Sequence, residues 1–188
     1  MLVGIVGLNG SGKDAVANIL KEKYSFLHYD LGQTIRDELK KIGKNYLDRN
    51  EMIVLGNSRR KEFGSNYWVK LLLKDYSPQK KFVLTSIRNP LEAEEIISKN
   101  GIIIEVFCDV KTRFNRTVDR VKNNSNAHGD VISFEEFAVK EKVELESTDP
   151  TKQQLLKSIS FAKYRINNNG SLKELEDQIN IIAKELVF

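Results

Sequence analysis

The chain has 188 residues, 30% of them charged and 40% hydrophobic, with a net charge of +4 and a pI of about 9.0. That length suits one domain with a full α/β core. No run of about 18 apolar residues is present, which excludes a membrane span, and the first residues read as a core strand rather than a signal peptide. One cysteine, Cys108, excludes an internal disulfide framework and fits a cytoplasmic protein. It ends an apolar run and reads as a small buried hydrophobe, and two histidines leave too few ligands for a zinc site. The basic balance suits anionic ligands. A nucleic-acid partner would call for a long basic stripe with interleaved aromatics and is not expected.

The chain opens on an apolar run, Leu2 to Val6. Gly7-Leu8-Asn9-Gly10-Ser11-Gly12-Lys13-Asp14 follows, and then Ala15 to Leu20, whose spacing suits a helix. Strand, glycine-rich turn and helix in that order are the context in which G-x-x-x-x-G-K marks a phosphate-binding P-loop. The glycines let backbone N–H groups and the helix N-terminus converge on negative charge, and Lys13 reaches the outer phosphates. Position 14 departs from the pattern, with an aspartate where Ser or Thr ordinarily offers a hydroxyl to Mg²⁺. A carboxylate is itself a magnesium ligand.

Residues 26–29 form a predicted short strand. Asp30 and Gln33 have the spacing of a capping box opening a helix to about residue 41. Asp30 has a second reading, because the end of a parallel strand beside the P-loop strand is where ligands meet such a sheet. Arg36, nearly two helical turns on, points either to solvent or toward a substrate phosphate. Asp48 or Asn50 caps the next helix, which ends near Phe63 and Gly64. Arg59 and Arg60 lie about 100° apart around it, so one can face inward while the other stays out. A further helix over about residues 66–74 places Trp68 in the core.

Residues 81–87 predict the third strand, which Asn89-Pro90 ends by starting a helix. Its tip reads Thr85-Ser86, where many P-loop enzymes carry a magnesium-organising aspartate, and Asp14 is expected to replace that charge from the other side of the metal. Residues 101–108 read as a central parallel strand. Arg113, Arg116 and Arg120 recur at i, i+3 and i+7 on one helical face. The stripe suggests a lid that closes on transferring phosphates; the alternative is an exposed helix neutralised by Glu135, Glu136 or solvent. Residues 123–130 read as a mobile loop of that lid. Ser133 with Glu136 opens a helix to about residue 145, and Asp149-Pro150 opens another through Ile159. A strand at residues 164–167 leads into Asn168-Asn169-Gly170-Ser171, a turn by composition whose backbone and amides could also hold an adenine. In the last helix Leu172, Leu175, Ile179, Ile182 and Leu186 are expected to pack on the sheet. Five strands alternating with helices argue a parallel sheet covered on both faces.

With these residues in place, the sequence resembles the P-loop small-molecule kinases, meaning nucleoside monophosphate kinases and dephospho-CoA kinase. Within that group it is similar to archaeal dephospho-CoA-kinase-like, adenylate-kinase-related proteins and to the kinase-like domain attached to some deoxycytidylate deaminases. The carriers are residues 7–14, 30–36, 59–64, 86–89, 111–114, 149–154 and 167–171. The resemblance implies a single kinase domain over residues 1–188 with a three-layer P-loop NTPase fold. Its acceptor-binding helical region would span about residues 30–75 and its arginine-bearing lid about residues 111–147. It also implies ATP with Mg²⁺. Gly7, Asn9, Gly10, Ser11, Gly12 and Lys13 would hold the phosphates, Asp14 the metal, and Asn169 and Gly170 the adenine side. Arg113 and Arg116 match lid arginines, Asp30 lies near the acceptor, and Arg36, Arg59 and Arg88 match acceptor-site residues. Lys13, Asp30, Arg88, Arg113 and Arg116 are the catalytic candidates. The expected acceptor is a (deoxy)nucleoside monophosphate. The alternatives are dephospho-CoA, with Asp30 as base toward a ribose hydroxyl, and a nucleotide-binding domain without turnover. A second copy of the chain or a nucleotide deaminase is the partner such a protein admits.

Overall fold

Leu2–Val6 (β1) is buried at every position, and a strand that is apolar on both faces needs cover on both. A computed structural model, describing residues 1–123, 133–145 and 149–187, supplies that cover as two helical layers around a parallel sheet. After β1 come α1 (Lys13–Tyr24), β2 (Leu27–Asp30), α2 (Leu31–Lys41), α3 (Arg49–Phe63) and α4 (Tyr67–Leu72). Next are β3 (Phe82–Thr85), α5 (Pro90–Ser98), β4 (Ile102–Phe107), α6 (Val110–Asn123) and α7 (Phe134–Leu145). The described chain closes with α8 (Leu155–Ile159), β5 (Tyr164–Asn167) and α9 (Leu172–Leu186). On one face Leu2, Val6, Leu84 and Ile103 pack against Leu31, Leu39, Trp68 and Ile96. On the other, Val3, Ile5, Val83, Val106 and Ile166 pack against Val16, Leu20, Leu175 and Ile179 of α1 and α9. The period-two alternation of β1 thus divides its side chains between two cores.

The strand order is β2-β3-β1-β4-β5, all parallel. Parallel strands bring their C-terminal ends to one edge, where the loops after β1, β2, β3, β4 and β5 meet. Asp30 pairs with Thr85 and Gly4 with Leu84, so Asp30 stands level with the last turn of β1. β2 is not beside the P-loop strand, as the sequence suggested; β3 lies between them. At about 4.8 Å per strand, that places the two strand ends about 10 Å apart.

Several local expectations are corrected. Asp30 does cap α2, accepting from the Gly32 N–H at 3.0 Å, but Gln33 turns away to Asp37 and closes no box. Asp149 accepts from the N–H and hydroxyl of Thr151 and so heads a turn, while α8 starts later, after Gln154. Leu172 is 63% exposed, because it sits in the first turn of α9 before that helix meets the sheet. Residues 124–130 of the expected loop lie outside the described residues. Among the described residues no helix is long and apolar enough to cross a membrane.

Candidate active site

The turn after β1 wraps as the spacing demands. Gly7, Gly10 and Gly12 all have positive φ, and Gly12, at φ 92°, is the residue from which α1 starts. No side chain caps that helix start, so its first N–H groups are presented at the turn, where an anion is stabilised. Lys13 Nζ folds back onto the Gly7 and Leu8 carbonyls at 2.9 Å each, which holds its charge over the loop. A Cβ on Gly12 would collide with Nδ2 of Asn168. One on Gly10 would stand 2.6 Å from the Arg113 carbonyl. The loop is therefore gripped from β5's end and from α6 at once. Ser11 is buried, its hydroxyl turned inward without a hydrogen-bond partner.

Two strands away stands Asp30. One carboxylate oxygen caps α2, and the other lies 3.7 Å from Arg36 NH1. The hydroxyl of Ser86 and the carboxylate of Asp30 both come within 3.4 Å of where a Gly32 Cβ would be, so an acid from the neighbouring strand stands near the tip of β3. Ser86 leaves β3 in the left-handed conformation, φ 62°, which costs a residue with a Cβ about 1–2 kcal/mol. Backbone strain of this kind gathers at ligand-handling loops. Arg88 follows, partly buried, its backbone N–H given to Glu92 Oε2 at 2.8 Å and its carbonyl accepting from the Gln154 N–H at 2.9 Å.

The two arginines of α3 divide as the 100° offset requires, with Arg60 turned in. Arg59 is held by Glu38 of α2 and by Glu62. Its ion pair with Glu38 ties α2 to α3.

The arginine stripe on α6 also divides. Arg113 is 3% exposed, forked onto both carboxylate oxygens of Glu141 on α7. Its Nε donates to the Cys108 carbonyl at 2.7 Å and its NH1 to the Asn9 carbonyl at 3.3 Å. The anion answering it is Glu141, not Glu135, Glu136 or solvent. Arg116 reaches the Cys108 Sγ at 3.4 Å, and its guanidinium is 3.9 Å from the Gly12 Cβ position. Arg120 is exposed. Burial pushes the Cys108 thiol pKa up, with the nearby Arg116 and Arg113 charges opposing.

Asn169 uses its side chain internally, accepting from the Asp109 N–H at 2.9 Å and donating to Asn167. Asn168 was missed by the sequence reading. It is buried, and its Nδ2 donates to the Ser11 carbonyl at 2.7 Å. Three successive asparagines carried no signal as to which one turns inward. Asn89 caps α5 where the sequence placed the helix start, whereas Glu92 and Glu141 were missed because helical periodicity marks apolar faces and is silent about buried polar partners.

The donor set fits magnesium. Among the described residues no cluster of three or more acidic, histidine or cysteine side chains is placed to hold an ion. Mg²⁺ bound to nucleotides needs only one or two carboxylates, because phosphate and water complete its shell. Asp14 is exposed in the first turn of α1, directly after Lys13.

Residues 3–146 match the family model described as AAA domain. The chain belongs to the AAA-domain family. Its fold is the α/β P-loop NTPase fold, and its relatives place it with the P-loop small-molecule kinases. A UPF0200 protein of Aeropyrum pernix is 27% identical over 98% of this chain and 92% of its own length. An adenylate kinase of Desulfovibrio desulfuricans is 30% identical over 67% of this chain and 60% of its own. Among solved structures, shikimate kinase from Acinetobacter baumannii in complex with shikimate superimposes with a TM-score of 0.58. That match has 20% identity and covers 99% of this chain and 92% of the other.

Proposed function

We infer that this protein is an ATP-dependent phosphotransferase acting on a small phosphorylated acceptor, a (deoxy)nucleoside monophosphate. One observation carries the reading. The phosphate loop after β1 opens on the same sheet edge as Arg88, which follows the adjacent strand β3, and as Asp30 and Arg36, which follow β2 one strand further out. Phosphoryl transfer asks a protein for alignment and charge stabilisation rather than covalent chemistry. The loop amides and Lys13 orient the donor phosphates. Arg116, beside Gly12, stabilises charge on the transferring group, with α6 and α7 as the lid. Arg36 and Arg88 hold the acceptor phosphate. Asn169 and Gly170 flank the adenine side, and Asp14 would hold Mg²⁺, which neutralises phosphate charge when bound. The adenylate kinase relative supports a nucleotide acceptor. Incubation with ATP, Mg²⁺ and a panel of (deoxy)nucleoside monophosphates plus dephospho-CoA is expected to give ADP that depends on one monophosphate. ADP formation by no acceptor would leave a nucleotide-binding domain without turnover.

A hydroxyl acceptor such as dephospho-CoA is the second reading, favoured by the geometry of Asp30. One of its oxygens is committed to the helix cap, and the other faces Arg36 at 3.7 Å and is left to meet a hydroxyl proton. Asp30→Asn separates the two, because asparagine caps a helix as well as aspartate does. A monophosphate acceptor needs no base, and its turnover is expected to survive the change within about tenfold. A loss of about 100-fold or more with unchanged ATP binding would assign a hydroxyl acceptor.

A further inference from the structure

Glu92 is 0% exposed and Arg60 4%, and they meet in the middle of the protein. Arg60 Nε and NH2 both donate to Glu92 Oε1, at 2.9 and 2.8 Å. The other oxygen, Oε2, accepts the backbone N–H groups of Arg88 and Asn89 at 2.8 and 3.0 Å. One carboxylate thus closes the capping box of α5 on one side and grips α3 on the other. The guanidinium also lies against its own helix: NH1 passes 3.4 Å from where a Gly56 Cβ would stand, and the Gly56 carbonyl accepts from Trp68 Nε1. The same short loop is secured on its far side. Asn89 Nδ2 donates to the Pro150 and Lys152 carbonyls, and Ser65, just after α3, donates its hydroxyl to Pro150 as well.

A helix cap needs only Glu92 and Asn89. A buried arginine from a different helix is not required for it, and burying such a pair is a poor source of stability. It does fix where α3 stands relative to the Arg88 backbone. We propose that Arg60 and Glu92 are a positioning pair that couples α3 to Arg88 and thereby sets the geometry of the acceptor site. This rests on the reading of Arg88 as an acceptor-site residue. Neither side chain touches the acceptor; they act by holding the backbone from which Arg88 projects.

The test uses two variants of the whole chain. Replacing both partners with neutral groups of similar volume, Arg60→Met with Glu92→Gln, leaves no unpaired buried charge and is expected to fold. Arg60→Lys keeps the charge and removes the fork. In each, the acceptor KM is expected to rise by about tenfold to 100-fold while the ATP KM stays within about twofold of the parent. A folded double variant with an unchanged acceptor KM overturns the proposal, as does an equal rise in both KM values, which a merely structural role produces. Hydrogen exchange at the Arg88 and Asn89 amides gives a readout independent of turnover. In Arg60→Lys these two amides are expected to lose protection while the amides of β1 keep theirs. If no acceptor in the panel drives ADP formation by the parent, the kinase reading fails, and unchanged protection at these amides sinks the coupling separately.

Discussion

At position 14 a carboxylate stands where a hydroxyl is usual, and Ser86 lacks the acid usual at the neighbouring strand tip. The sequence suggested that one replaced the other, yet the structure sets Asp30 beside Ser86 as well. Asp14→Ser is expected to raise the Mg²⁺ concentration for half-maximal activity by about tenfold, equivalent to about 1.4 kcal/mol. Adding Ser86→Asp should recover part of the loss, since aspartate tolerates the left-handed backbone there. If Mg²⁺ dependence does not move, Asp30 and phosphate suffice for the metal. The α6 arginines allow a second comparison. Arg113→Ala strips Glu141 and the Cys108 and Asn9 carbonyls of a partner, and a thermal melt is expected to show a loss of about 3 kcal/mol, the low end for a buried pair. Arg116→Ala should leave the melt nearly unchanged and lower kcat about 100-fold. The shared helical face of these residues was legible in the sequence. Their unequal fates were not, because Glu141 belongs to a helix whose docking on α6 no local pattern encodes.

Elements were more legible than residues. The strand, glycine turn and helix at the N-terminal end, the proline start of α5 and the asparagine turn before α9 all follow from local chemistry. Expectations failed where a side chain took another partner: Gln33 turned to Asp37 and left a capping box open, and Asp149 bonded Thr151 and left α8 to start after Gln154. The capping box of α9 offers a pH test. Glu174 accepts from the backbone N–H and the hydroxyl of Ser171, which hold its carboxyl below the usual range. A depressed carboxyl contributes stability that is complete above its ordinary value, 4.5, and is lost as pH falls through the lowered one. Glu174→Gln is expected to flatten the acid side of the melting-temperature profile and to leave the profile above pH 6 parallel to that of the parent. An unchanged acid side would show that the cap does not titrate with folding.

For the whole molecule, alternation of strands and helices was enough to read a parallel sheet with two covered faces, since apolar parallel strands need helices on both sides. The order of the strands was not readable. Nothing local in Phe26 to Asp30 says that β3 will insert between that strand and β1, and this insertion sets the separation of the two halves of the site. The same order has a consequence for synthesis. Among the described residues β1 pairs with β3 and β4 and β2 with β3, so neither of the first two strands meets a sheet partner until residues 82–85 exist. The P-loop is thus made well before it is shaped, as its strand waits as bare apolar chain while about 75 further residues are translated. A fragment ending at residue 80 is expected to show no sheet signal in circular dichroism and to bind a chaperone that holds extended apolar segments. One ending at residue 109 should gain protected amides in β1. Should the shorter fragment already protect β1, the nascent strand has found a partner that the finished protein does not use.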